Sequence, residues 1–160
     1  MLPDEVSKLI GKRGSIGILE VEKGAIKRFA DAVDDHNPLY RDEEYAGNSR
    51  YGSIISPPGF FGWPTKWPRH STFPLRTGII EEARDTLVKA GYSRSLDGGI
   101  EYEFFTPIRA GDTLAVSTIV KDIVEREGKT GKMFFVFLET TYTNQSGDLV
   151  AKAIGTAIHR

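Results

Sequence analysis

The feature that most restricts the fold lies in the last third of the chain, where four runs rich in Val, Ile, Phe, Tyr and Thr follow one another. They are Gly99 to Phe105, Thr113 to Glu125, Lys132 to Thr143 and Leu149 to His159. Turn-forming residues separate them, in Pro107 to Asp112, Glu127 to Gly131 and Asn144 to Asp148. This order predicts a meander of long antiparallel strands. Met133 to Leu138 reads MFFVFL, apolar on both alternating faces, which implies a central strand covered on both sides.

The upstream half supplies what the sheet packs against. Ser15 to Glu22 alternates apolar and polar residues at its end, as a short half-buried strand does, and Gly24 punctuates it. Ile26, Phe29, Ala30 and Val33 then recur at the i, i+3, i+4, i+7 spacing. Ala25 to Val33 therefore reads as an amphipathic helix with Lys27, Arg28 and Asp31 toward water. It must stop before Pro38, because the residue preceding a proline avoids helical geometry. Asp34 to Phe73 reads as loop and short helical turns, dense in Gly, Pro and aromatic residues. A loop that long in a compact domain usually has a function. Ile79 to Ala90 reads as a second helix with a buried stripe of Ile79, Ala83, Leu87 and Ala90, closed by Gly91. Strand, helix, loop, helix and meander suit an α+β fold, a curved antiparallel sheet wrapped around a main helix.

Composition narrows the function. A chain of 160 residues predicts one domain, residues 1–160, with one main core. At 39% apolar and 27% charged residues it has the balance of a soluble globular protein. A net charge of -1 argues against nucleic acid as the main partner, since phosphate binding needs a basic surface. No run approaches the roughly 18 apolar residues needed to span a bilayer. Met1 to Gly14 has no apolar core of signal-peptide length, so a cytoplasmic location is the expectation. The absence of cysteine excludes disulfides and thiolate chemistry, and His36, His70 and His159 lie too far apart for a short metal-binding spacing. Neither a metal nor a cofactor is expected.

The chemistry concentrates in Phe29 to Ala46, FADAVDDHNPLYRDEEYA. This segment resembles the signature of the MaoC-like dehydratases and R-specific enoyl-CoA hydratases: an aromatic residue, a helix, Asp-x-Asn-Pro-Leu-His, then a small residue. Phe29, Asp35, Asn37, Pro38, Leu39 and Ala46 match, and Tyr40 stands where the family has histidine. Two further blocks follow in the family's order. Tyr51 to Phe60, YGSIISPPGF, resembles the segment opening the central helix, and Glu101 to Leu114, EYEFFTPIRAGDTL, resembles the strand and Pro-x-x-x-Gly-Asp turn. The resemblance implies a hot-dog fold and an acyl thioester of CoA or acyl carrier protein as substrate.

Adding water to an unsaturated thioester needs a base for the water, an acid for the α-carbon and a donor for the enolate oxygen. By the resemblance, Asp35 and Tyr40 take the catalytic positions, while Asn37, Gly59 and Phe60 take substrate-binding ones, with a backbone N–H near Gly59 as the oxyanion donor. Tyr40 breaks the pattern. An ordinary tyrosine titrates near 10 against about 6.5 for histidine, so it is a donor and seldom a base. The Asp-x-Asn-Pro-Leu-Tyr form resembles the MaoC-like N-terminal-domain branch, in which a second hot-dog unit bears the Asp/His pair. The implied function is a subunit of an enoyl-CoA hydratase or 3-hydroxyacyl-CoA dehydratase assembly, with a dimer of hot-dog units, like or unlike. Two alternatives stand beside it, a self-sufficient homo-oligomeric hydratase using Asp35 and Tyr40, and a non-catalytic acyl-CoA-binding protein.

Each residue also has a plainer reading. Asp35 and Asn37 fit a loop that caps and turns, Tyr40 a packed aromatic with a bonded hydroxyl, and Gly59 a tight turn after Pro57 and Pro58. His36 fills the signature's variable position and should point away from its neighbours. His70 and His159 read as surface or strand-end residues. Phe60 to Trp67 could line an acyl tunnel or cover the core and an interface. Arg41, Arg50, Lys66 and Arg69 could meet CoA phosphates or form a solvated face.

Overall fold

A computed structural model describes residues 2–60, 78–128 and 131–160. Five strands form one antiparallel sheet among these residues: β1 (Gly17–Glu20), β2 (Ser95–Phe104), β3 (Thr113–Gly128), β4 (Gly131–Thr143) and β5 (Leu149–His159). Their spatial order is β1-β3-β4-β5-β2. The expected meander is β3 to β5, and the strand expected first within it, β2, returns to pair with β5 at the sheet's edge. A bulge between Asp97 and Gly99 bends β2. Only glycine fits at Gly98, since a Cβ there would sit 2.9 Å from the Thr156 methyl and 3.0 Å from its carbonyl oxygen.

Helices cover one face of the sheet. They are α1 (Asp4–Ser7), α2 (Lys23–Ala32), α3 (Glu43–Asn48) and α4 (Ile79–Lys89), with a 3-10 turn at Pro38–Tyr40. Helix α4 buries Ile79, Ala83 and Leu87 at four-residue spacing, and Gly91 follows it at φ +96°, as its C-terminal signal implied. Ala90, counted in the stripe from sequence, is only partly buried. With α1, this stripe packs on Val120, Ile123, Phe134 and Val136. The other end of the same face is covered by α2 and the segments around Tyr40, Ala46 and Ile54 to Phe60, which pack on Leu114, Val116, Tyr142 and Ala151. Thr118 and Thr140 share a buried 3.0 Å hydrogen bond on the two central strands between these clusters. The arrangement is the α+β hot-dog fold that the sequence predicts. No helix among the described residues is long and apolar enough to cross a membrane.

Two expectations need correction. In β4, Phe134 and Val136 are buried, whereas Met133, Phe135 and Phe137 on the other face are half-buried, because no helix among the described residues packs there. His159 ends its strand as expected but is 3% exposed, level with Phe134, whose ring meets Tyr92 edge-on at 4.5 Å. His70 and the aromatic stretch beyond Phe60, including Trp63 and Trp67, lie outside the described residues.

Burial pushes the His159 pKa below its ordinary 6.5, opposed by a hydrogen bond with the Tyr92 backbone and reinforced by nearby Arg84. The unfolded chain therefore takes up this proton before the folded one does. The associated stability is complete above about pH 6.5 and declines as the pH falls below it toward the depressed folded value. Urea midpoints at pH 7.5, 6.0 and 5.0 are expected to fall, and His159→Phe should reduce that slope. An equal slope in the variant would assign the acid sensitivity to carboxylates instead.

Candidate functional site

The signature segment begins where α2 ends. Asp34 takes the left-handed conformation at φ +56°, and the Asp35 N–H reaches back to the Ala30 carbonyl at 2.8 Å, closing the helix. Asp35 is thereby turned out of the helical path. Its carboxylate then accepts from the Asn37 N–H at 3.0 Å, and the Asn37 side-chain oxygen accepts from the Leu39 N–H at 3.1 Å. Two such turns in succession feed Pro38 into the 3-10 turn, so Asp and Asn here do the capping work that the plainer reading gives them. The same turns gather Asp35, Asn37 and Tyr40 in one place.

Tyr40 is 8% exposed and belongs to the core cluster around Ala46, Ile54 and Tyr142. Burial raises its pKa above 10, the nearby Asp35 and Tyr51 raise it further, and a side-chain hydrogen bond with Asn37 opposes them. The hydroxyl thus keeps its proton at neutral pH and can donate but not abstract. Asp35 and Asn37 are half-buried. His36 points outward and pairs with exposed Asp34 at 3.1 Å, so it does not replace the missing histidine.

Arg41 is the residue whose role sequence reasoning missed. Its guanidinium pairs with Asp31 on α2 at 2.9 Å and donates to the Asp35 carbonyl at 2.7 Å, with its Nε buried. It therefore clamps the signature loop to α2. Asp31 lies on α2 and Arg41 follows the 3-10 turn, so no single helical or strand period spans the pair and no sequence signal marks it. Arg50 lies over the Tyr51 ring at 4.8 Å, and Lys66 and Arg69 lie outside the described residues.

The three signature-like blocks meet in space. The Ile55 N–H donates to the Leu39 carbonyl at 3.3 Å, joining the second block to the first. Ser56 and Ala110 N–H groups donate to Ile108 and Ile54 carbonyls at 2.8 and 3.0 Å, joining it to the third. In the Pro-x-x-x-Gly-Asp turn, Asp112 accepts from the Arg109 N–H at 2.8 Å, and the Gly111 N–H donates to Val21 at 2.8 Å. One hydrogen-bonded unit thus carries the residues that the motif scatters over 86 positions, from Phe29 to Leu114.

The second block ends at the proposed oxyanion position. Gly59 has φ +84°, left-handed geometry that favours glycine, and a Cβ there would lie 3.9 Å from the Phe29 ring. Phe60 is 2% exposed and meets Phe29 edge-on at 5.9 Å, while its N–H donates to the Pro57 carbonyl at 3.2 Å. Its ring is a core side chain in this conformation. Pro58 to Phe60 forms a turn, and the expectation that this segment opens a helix falls on residues 61–77, which lie outside the described residues.

The family described as FAS1-like, dehydratase domain region, matches residues 8–153. A UPF0336 protein of Saccharopolyspora erythraea is 31% identical over 141 residues, covering 88% of this chain and 81% of its own. A probable enoyl-CoA hydratase alpha subunit of Thermomonospora curvata is 28% identical over 129 residues, 79% of this chain but only 40% of that longer protein. Among solved structures, the MaoC-like dehydratase from Rhodospirillum rubrum superposes with a TM-score of 0.64 at 25% identity, covering 94% of this chain and 91% of that one. The matched span takes in all three hydrogen-bonded blocks, and the chain belongs to the FAS1-like dehydratase-region family, within the MaoC-like hot-dog proteins.

Proposed function

We propose that this chain is one subunit of an enoyl-CoA hydratase or 3-hydroxyacyl-CoA dehydratase assembly, in which a second hot-dog unit supplies the Asp/His pair. The observation that carries this reading is Tyr40, buried and held protonated at the position where the reaction needs a group able to take and return a proton near neutral pH. Asp35 and Asn37 keep the geometry of the signature loop around it. In this reading the chain shapes and binds the acyl thioester, with Asn37 and the Gly59 turn nearest the substrate, and the partner performs the proton transfers. The relative described as an alpha subunit supports a division of labour of this kind. No cofactor is required, since the thioester itself activates the α-carbon.

Hydration of a crotonyl-type thioester by the purified chain, alone and with a MaoC-like partner bearing Asp-x-Asn-Pro-x-His, tests the proposal. Near-background turnover alone and a large gain on adding the partner are expected. Equal turnover in both arms would favour the self-sufficient enzyme using Asp35 and Tyr40. No turnover in either arm, with thioester binding retained, would favour the non-catalytic binding protein.

A further inference from the structure

Phe135 and Phe137 belong to a second surface, on the face of the sheet opposite the helices. Val124, Phe135, Ile158 and Leu96 lie opposite one another on β3, β4, β5 and β2, and so form one apolar row across four strands. Phe137 stands in the next row. No helix among the described residues packs on this face, and Leu96 remains 48% exposed. The row on the other side carries charge. Arg126 is paired in register with Met133, and its guanidinium lies over the Phe135 ring at 5.1 Å, which fixes it to this face. Arg94 and Arg160 exchange backbone hydrogen bonds of 3.0 and 2.9 Å, one pair beyond Ser95 and His159. They therefore share the face of Leu96 and Ile158, two residues away on each strand. Three exposed arginines thus border the apolar row.

The carboxylates nearest in register are engaged elsewhere. Glu125 pairs with Lys132 at 2.6 Å, Glu127 stands opposite the same Lys132, and Asp122 accepts from the Ile123 N–H at 2.8 Å. Glu139, further along the face, is held by Lys121 and Lys152 at 3.0 Å each. Residues 61–77 contain Lys66, Arg69 and Arg76 but no carboxylate, so they bring no complementary charge. A copy of this face would add its own three arginines to the contact. An apolar row beside a row of like charge calls for an occupant that is apolar on one side and acidic on the flank.

We propose that this face docks an amphipathic helix of a partner protein, lying across the strands with its apolar stripe on Phe135, Ile158 and Leu96 and a flank of Asp or Glu on Arg126, Arg160 and Arg94. The dimensions fit. Neighbouring strands are about 4.8 Å apart, so the four-strand row spans about 15 Å, the length of about ten helical residues. Successive rows on one face are about 7 Å apart, within the breadth of about 10 Å that a helix covers. Tyr142, which packs in one cluster with Tyr40, lies seven residues along β4 from Phe135, about 24 Å away. The surface is therefore separate from the signature loop, and the proposal stands whatever reaction that loop serves.

Two synthetic amphipathic helices of about five turns serve as probes, each with a leucine stripe, one flanked by Glu and the other by Lys. Fluorescence anisotropy is expected to show the Glu helix binding wild type about tenfold or more tighter than the Lys helix. That preference should collapse in about 1 M salt, where the screening length is about 3 Å. The Arg94→Glu/Arg126→Glu variant, changed at two exposed positions, is expected to reverse the order. Equal binding of both helices, no binding of the Glu helix up to about 1 mM, or an order unchanged in the variant overturns the proposal. So does sedimentation velocity in which wild type self-associates and the variant does not, since a second copy then occupies the face. Circular dichroism checks folding. If the double variant is unfolded, Arg94→Gln alone is expected to weaken the Glu helix about threefold, and no weakening overturns the proposal.

Discussion

Tyr40→Phe is expected to leave turnover of the two-unit assembly within about threefold of wild type, while replacing the partner's catalytic histidine should lower it by about 100- to 10,000-fold, the usual worth of a positioned acid or base. The contrast follows from what the Tyr40 hydroxyl can do. It is buried, its pKa is raised by that burial, and the Asn37 side chain hydrogen-bonds its oxygen, so removing the hydroxyl deletes one polar contact and keeps the ring that packs against the core. The structural cost is that of one neutral hydrogen bond, about 1 kcal/mol. If the chain were catalytic by itself, the same substitution would instead remove the nearest proton donor to Asp35, and turnover should fall sharply with the fold intact. Steady-state hydration of a crotonyl-type thioester, paired with thermal melts, separates the two. Robust activity of the isolated chain that survives both Tyr40→Phe and Asp35→Asn would overturn both versions and move the chemistry away from this loop.

Phe60→Ala should cost about 3–5 kcal/mol of folding stability, the range for emptying a buried aromatic site. Set against the roughly 5–15 kcal/mol that holds most domains together, this is enough to leave the chain marginal. Phe60 is 2% exposed, packs edge-on against Phe29, and lies directly after the left-handed Gly59. The substitution therefore removes core volume and loosens the anchor of the proposed oxyanion turn. Tyr45→Ala offers the comparison, because Tyr45 is 54% exposed and a surface change of this kind should stay within about 0.5 kcal/mol. Urea midpoints for both variants decide the matter. A Phe60→Ala loss below about 1 kcal/mol would mean that the ring is not a core element, and would return it to the substrate-binding role given by resemblance.

Much of this architecture is legible in the chain because its signals are local. Turn chemistry at Asn144 to Asp148 is self-contained: the Asn144 side chain accepts from Ser146 and Asp148 N–H groups at 3.0 and 2.9 Å, closing the hairpin between β4 and β5. Four-residue spacing sets the stripe of α4, and alternation with β-branched and aromatic residues sets β3 to β5. Asp35 and Asn37 act on N–H groups two residues away, so their pattern alone encodes the loop. These features need no knowledge of the rest of the fold.

The tertiary structure decided what depends on distant pairs. Nothing in the run MFFVFL shows that Phe135 and Phe137 face a side of the sheet on which no helix among the described residues packs, because both faces of a strand can be apolar for different reasons. His159 is buried by Tyr92 and Phe134, residues 67 and 25 positions earlier, and a strand-end histidine reads the same whether or not they cover it. Arg41 becomes a clamp only once α2 and the 3-10 turn have brought Asp31 and the Asp35 carbonyl to either side of it. The sequence by itself determined the elements, the family signature and the substitution at Tyr40; folding alone determined that Tyr40 is buried beside Asn37 and that three distant blocks form one unit, since burial and long-range hydrogen bonds arise from the packing of whole elements and leave no periodic trace in any one of them.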